Sequence, residues 1–201
     1  MTDLFADKAQ DWDTRPVPAQ ISQGVFATLQ NQVDLRPDQV VLDFGAGTGL
    51  VAGQLAPLVE QVHAVDISQS MLDRLAAKDE LAGKVTVHCQ DLLDTPLSVQ
   101  VDLVVSAMAL HHVADTSAAL RALFEHLRPG GTLALADLDA EDGSFHPPDI
   151  EGVFHQGFDR DALAALASEA GFANPRFVTA AEVDKDERRY PVFLLLAERP
   201  A

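Results

Sequence analysis

Residues 40–49 read Val-Val-Leu-Asp-Phe-Gly-Ala-Gly-Thr-Gly, an apolar run that ends in an acid and breaks into alternating glycines. A short, β-branched run bounded by a turn signal reads as a strand buried on both faces. Gly45, Gly47 and Gly49 let the backbone turn sharply and approach a ligand with no Cβ in the way. A turn of this kind opening a helix presents free amides to a nucleotide-like ligand. Two details argue against a dinucleotide. The pattern Gly-x-Gly-x-x-Gly needs glycine where Leu50 stands, and Asp43 sits at the lip of the turn, where its charge repels a pyrophosphate. A carboxylate there suits a cationic ligand.

Outward from this stretch, apolar runs alternate with helical patterns, the signature of βαβ units around a parallel sheet. Strands are expected at 40–44, 62–66, 85–89, 101–106 and 132–137, and helices at about 49–59, 69–78 and 117–127. Ser68 is the expected N-cap of the second helix, and Asp115 or Thr116 of the third. Arg128-Pro-Gly-Gly131 then ends the third helix and turns the chain into the next strand. The last third differs. A helix over 159–170 stops at Gly171, and extended segments at 176–183 and 190–198 flank the charged turn 184–189. That connection is too short for a crossover helix, so the two segments pair antiparallel.

The 201 residues, 47% of them hydrophobic, fit one domain with a full core. Within it, 1–33 reads as an N-terminal arm and helix, and 138–158 as a substrate lid or loop. No apolar run is long enough to cross a bilayer, and the start lacks the basic-then-apolar pattern of a secretory signal. Cys89 is the only cysteine, which fits a reducing cytoplasm, and it is expected as a small buried residue of the third strand. Net charge is −17, and Arg188-Arg189 is the only adjacent basic pair. Such a surface repels nucleic acid and anionic lipid, with solubility alone as the alternative reading of the charge. No nucleic acid and no membrane insertion are expected. Oligomeric state is left open, a monomer being compatible.

The glycine turn with its preceding acid resembles motif I of the class I S-adenosylmethionine-dependent methyltransferases, and later motifs fall in that family's order. Asp66 ends the second strand about twenty residues downstream, where an acid accepts both ribose hydroxyls. Within Asp66-Ile-Ser-Gln-Ser-Met71 the resemblance places Ile67 and Met71 beside the adenine, with helix packing an equal reading of Met71. It gives Asp91 the adenine amino group and the Leu92 amide a ring nitrogen, against an Asx turn at Asp91. Ser106-Ala-Met-Ala replaces the Asn/Asp-Pro-Pro-aromatic turn of base amine methylation. Asp137, Asp139 and Asp142 lack the carboxylate partner that a catechol-type metal site requires, so no metal is expected.

Ala109-Leu-His-His-Val113 and Arg128-Pro-Gly-Gly131 resemble the small-molecule and quinone-pathway "type 11" group, and the likeness covers about 5–131. It implies an α/β fold: one Rossmann-like domain with a mostly parallel seven-stranded sheet, an antiparallel C-terminal hairpin, and helices on both faces. It also implies S-adenosyl-L-methionine as cofactor and S-adenosyl-L-homocysteine as product. Asp43, Gly45, Ala46, Gly47, Gly49, Asp66, Ile67, Met71, Asp91, Leu92, Ser106 and Trp12 are the expected cofactor contacts. Trp12 either caps the methionine end or anchors the terminus. His111 is expected to face the cofactor, with His112 packed beneath and pointing elsewhere. His146 and His155 lie on the irregular segment with Phe145, Phe154 and Phe158. The three histidines His111, His146 and His155 are the candidate proton acceptors, with loop capping as the alternative. A module that holds the cofactor without transferring methyl is the alternative function. A nicotinamide oxidoreductase is disfavoured by Asp43 and Leu50.

Overall fold

A computed structural model describes residues 3–147 and 150–201; residues 1 and 2 of the arm and 148 and 149 of the expected lid lie outside them. The strands are β1 (Val40–Phe44), β2 (Gln61–Asp66), β3 (Val85–Cys89), β4 (Val101–Ala107), β5 (Leu127–Leu138), β6 (Ala173–Lys185) and β7 (Arg188–Glu198). They form one sheet in the order β3-β2-β1-β4-β5-β7-β6. The first five run parallel, and β7 lies antiparallel between β5 and β6. The order reverses between β1 and β4, so the loops leaving their carboxyl ends part and open a crevice.

Strand residues alternate between two cores. Val41, Ala134, Ala136, Leu194 and Leu196 face α1 (Pro16–Gln32) and α2 (Ala52–Leu55). Leu42, Leu133, Leu135, Phe193 and Leu195 face α4 (Thr116–His126) and α5 (Arg160–Glu169). A smaller cluster of Ala46, Ala64, Leu72 and Leu75 seats α3 (Gln69–Ala76) near the glycine turn. Helices on both faces explain why the central strands carry consecutive apolar residues rather than one at every second position.

The expected caps are present: Ser68 Oγ accepts from Met71 N at 3.2 Å and Asp115 Oδ1 from Ala118 N at 2.8 Å. Several boundaries differ. The first crossover helix is only Ala52–Leu55, because Gly49 has a left-handed φ of 81° at one end and Pro57 supplies no amide beyond the other. The 128–131 stretch belongs to β5 rather than to a turn, since Gly130 N donates to Arg199 O and Arg199 N to Gly131 O, both at 2.8 Å. The hairpin turn narrows to Asp186 and Glu187, whose φ values of 51° and 61° match the twist of the strands that it joins. Cys89 is exposed, not buried, because β3 is a sheet edge.

In the irregular stretch from 139 to 158, the described residues include both buried and exposed aromatics, Phe154 being exposed. Phe145 and Phe158 are buried, and Asp139 bridges to Phe158 beside β5. Among the described residues no helix is long and apolar enough to cross a membrane.

Candidate active site

The glycine turn is pinned from beneath. Gly45 N and Ala46 N donate to Val65 O at 2.9 and 3.0 Å, and Gly49 N closes the turn on Ala46 O at 2.8 Å. Gly47 N donates to Asp66 Oδ2 at the tip of the neighbouring β2 at 2.8 Å, while Asp66 Oδ1 accepts from Ser68 N at 2.8 Å. Burial pushes the Asp66 carboxyl above the ordinary carboxylate range, and these amides pull against it.

Asp43 departs from the lip position read from sequence. It is 2% exposed, and its Oδ2 has no hydrogen-bond partner. Burial raises its carboxyl to about 7, with the Asp66 charge adding and the Ala52 amide opposing. A buried carboxyl with one oxygen unpartnered, raised to about 7, gains from a positive charge placed beside it, which would favour its ionised form.

Of the other expected contacts, Ile67 is 56% exposed at the tip of β2. Met71 and Leu92 are core side chains at 2% and 1% exposure, so any contact by Leu92 is through its backbone. Asp91 Oδ1 accepts from Leu93 N at 2.9 Å, which makes the Asx turn real. Ser106 is buried, and its Oγ donates to Phe44 O at 2.9 Å, tying β4 to β1 at the order reversal.

The N-terminal arm is strapped over this crevice at two points that sequence reasoning missed. Asp3 takes the Ser68 hydroxyl at 2.8 Å and the Ser70 amide at 3.0 Å, at the start of α3. Asp13 accepts from the Thr48 hydroxyl and pairs with Lys78 Nζ at 2.7 Å, and Lys78 also donates to Thr48 O. Between these anchors Phe5 meets Trp12 and His112 edge-on, at 6.1 and 5.3 Å between ring centroids.

Opposite the glycine turn stands a cluster of imidazoles. His111, His112 and His146 have ring centroids 4.1 Å (His111–His112), 5.0 Å (His111–His146) and 6.1 Å (His112–His146) apart. The adjacent pair therefore does not diverge as expected, because the tight 3-10 turn Leu110–His112 brings both rings to one side. His111 Nδ1–H donates to Asp137 Oδ1 at 2.7 Å, and its backbone N to Oδ2 at 3.1 Å. Asp137, wholly buried at the end of β5, also accepts from Leu138 N at 2.8 Å. His112 Nδ1–H donates to Gly152 O at 2.6 Å. Burial, then the neighbouring His111, lowers His112 and His146 to about 4, so both are neutral imidazoles near pH 7.

His155 stands apart from this cluster, bound to Val113 O at 2.9 Å and to the Thr116 hydroxyl at 3.2 Å. Asp137 went unread as a partner of His111, although it ends its strand as Asp43 and Asp66 end theirs. Among the described residues no group of His, Cys, Asp and Glu is placed to hold a metal ion.

A family model described as a methyltransferase domain, of the type 11 group, matches residues 42–135. An uncharacterized methyltransferase of Schizosaccharomyces pombe is 32% identical over 169 residues, a match that takes in 75% of this chain and 60% of that protein. The chain spans 51% to 60% of the length of the first curated relatives it matches. An uncharacterized methyltransferase of Geobacillus kaustophilus is 31% identical over 192 residues, covering 85% of this chain and 88% of that one. Among solved structures, the N-methyltransferase NodS from Bradyrhizobium japonicum, in complex with S-adenosyl-L-homocysteine, shares the fold at a TM-score of 0.74. That match covers 99% of this chain and 95% of the other at 15% identity.

Proposed function

This chain belongs to the methyltransferase family, and from that premise we propose that it transfers the methyl group of S-adenosylmethionine to a small-molecule acceptor, with S-adenosylhomocysteine as product. The observation that carries the reading is Asp43, a buried carboxylate with one oxygen unpartnered beside the glycine turn. Its chemistry fits the ammonium of a methionyl group and not a diphosphate. The left-handed φ of Gly45, Gly47 and Gly49 keeps the backbone low beneath the same position.

Asp66 is assigned the ribose hydroxyls, for which both oxygens keep further acceptor capacity beyond their amide bonds. Ile67, Met71, Asp91 and the Leu92 amide are assigned the adenine, Gly45–Gly49 the methionyl chain, and Trp12 the wall of the crevice on the arm. Ser106, whose hydroxyl donates to Phe44 O at 2.9 Å, is assigned the floor of the crevice where β4 meets β1. When bound, the sulfonium supplies an activated methyl carbon and a thioether leaving group, so no covalent protein nucleophile is required. The residues then contribute alignment and exclusion of water. The arm and the 138–158 segment are assigned as the coverings that select the acceptor. A net charge of −17 supports a small acceptor over a nucleic acid.

Calorimetry with S-adenosylhomocysteine tests the reading. The protein is expected to bind it, and Asp66→Ala to weaken binding by at least about tenfold, the worth of one or two hydrogen bonds to a charged group. Absence of binding at millimolar ligand sinks the proposal.

A further inference from the structure

Resting on the methyl-transfer reading above, we infer that His111, oriented by Asp137, is the general base for an acceptor whose nucleophilic atom carries a proton: a hydroxyl, thiol or carbon acid rather than a tertiary amine or thioether.

The geometry points this way because the two ring nitrogens of His111 have been given opposite tasks. Nδ1 donates to Asp137 Oδ1 at 2.7 Å, and the same carboxylate accepts the His111 backbone amide at 3.1 Å. A carboxylate that takes both donors of one residue fixes its tautomer and its ring plane. The neutral ring then carries its proton on Nδ1, which leaves Nε2 as a lone-pair acceptor. Nε2 is buried and has no partner. A histidine kept only for packing has no need of a buried carboxylate on one nitrogen and an unsatisfied atom on the other, since each such atom costs about 1–3 kcal/mol.

The location agrees. His111 leaves the end of β4 and Asp137 ends β5, both at the carboxyl edge of the sheet, and Gly45 of the glycine turn packs on Ala109 two residues away. Irregular chain lies beside this ring: the His146 centroid is 5.0 Å from that of His111, and Phe5 of the arm meets the neighbouring His112 edge-on.

The proton balance is simple. As the acceptor atom's electron pair forms the new bond to the methyl carbon, its proton passes to His111 Nε2, and Asp137 stabilises the imidazolium. The pair from the broken carbon–sulfur bond stays on sulfur, and the imidazolium returns its proton to solvent. The charged and titratable groups around the imidazole cluster are Asp137 of β5, bonded to His111, Lys8 of the arm near His112, and Glu141 of the irregular segment and Lys185 of β6 near His146. His146 Nε2 is also buried and unpartnered, but burial and the neighbouring His111 hold His112 and His146 at about 4, which makes both weak proton acceptors, and neither has a carboxylate on its other nitrogen.

The first test needs no ligand. Nitrogen-15 imidazole spectra of the wild-type protein are expected to show the His111 Nδ1 proton held in its hydrogen bond to Asp137; a ring that carries its proton on Nε2 alone overturns the assignment. Next, the protein with S-adenosylmethionine is offered 4-nitrophenol, thiophenol and acetylacetone, against pyridine, N,N-dimethylaniline and methyl phenyl sulfide. Methyl transfer is expected within the first set alone. Transfer to the second set, or to none of the first, overturns it. On the best acceptor His111→Gln is expected to lower kcat by at least about 100-fold with little change in KM, and to remove the acid limb of the kcat profile. A loss below about tenfold, or a persisting acid limb, overturns it. Should His111→Gln misfold, the wild-type spectra and the acceptor panel still decide. Wild-type binding of S-adenosylhomocysteine is measured separately, so failure of the cofactor reading is told apart from failure of the base.

Discussion

Asp43→Asn is expected to make the ligand-free protein more stable above pH 7 while stripping it of cofactor affinity. The carboxyl titrates near 3.8 when unconstrained and near 7 in the fold, chiefly because burial disfavours its charge. Between those values the folded protein holds a proton that the unfolded chain has released. This group's contribution to stability is therefore full below about pH 3.8 and is lost as pH rises through about 7. The loss is bounded at roughly 4 kcal/mol, from about 1.4 kcal/mol for each pH unit between the two values. Asparagine has the same shape and no charge to bury. Its amide must still find partners, so the net gain at pH 8 is expected at about 1–3 kcal/mol and should shrink to near zero or reverse at pH 5.

The same change removes the anion proposed to receive the ligand's ammonium, and affinity should drop by about 10- to 100-fold. Denaturant unfolding at pH 5 and 8, with calorimetry at pH 8, checks both halves. Wild-type binding should also weaken as pH falls below 7, because the ligand selects the ionised carboxylate. A variant that is less stable at pH 8 and binds normally would show that Asp43 is a structural residue.

Gly45→Ala is expected to lower stability by about 2–4 kcal/mol, summing a left-handed conformation for a residue with a Cβ and overpacking of a closed contact. Gly45 has a φ of 69°, and an added Cβ would stand 2.2 Å from the Ala109 Cβ. That contact holds the β1 loop against the turn carrying His111, so turnover should fall with stability. Gly47→Ala is the control within the same motif. Its φ is 54°, yet nothing lies within 4 Å of the added atom, and only the conformational cost of about 1 kcal/mol applies. Thermal unfolding of the two variants side by side should separate them by several degrees.

Most of the fold was legible because its signals are local. Apolar runs bounded by Gly or Asp gave the five parallel strands, Ser68 and Asp115 marked helix starts, and the short charged link before Tyr190 forced an antiparallel hairpin. The aspartates at strand tips were legible for the same reason. What stayed hidden is made by pairing across distance. His111 and Asp137 meet because β4 and β5 are neighbours in parallel register, with Ala107 beside Ala136. Asp3 reaches Ser68 only because the arm doubles back over α3. The state of Asp43 follows from how many atoms surround it, which no motif encodes. The exposure of Cys89 was misread because strand order, not strand composition, decides which strand is the edge.

That edge position has a practical consequence. The one thiol of the molecule projects at the end of β3, its Sγ 3.9 Å from Ile67 O and alongside the carboxylates of Asp66 and Asp3. A maleimide fluorophore attached there would stand beside the carboxylate proposed to receive the ribose, without any engineered cysteine. Burial and those carboxylates hold the thiol above its ordinary range, so conjugation should proceed faster in mildly alkaline buffer.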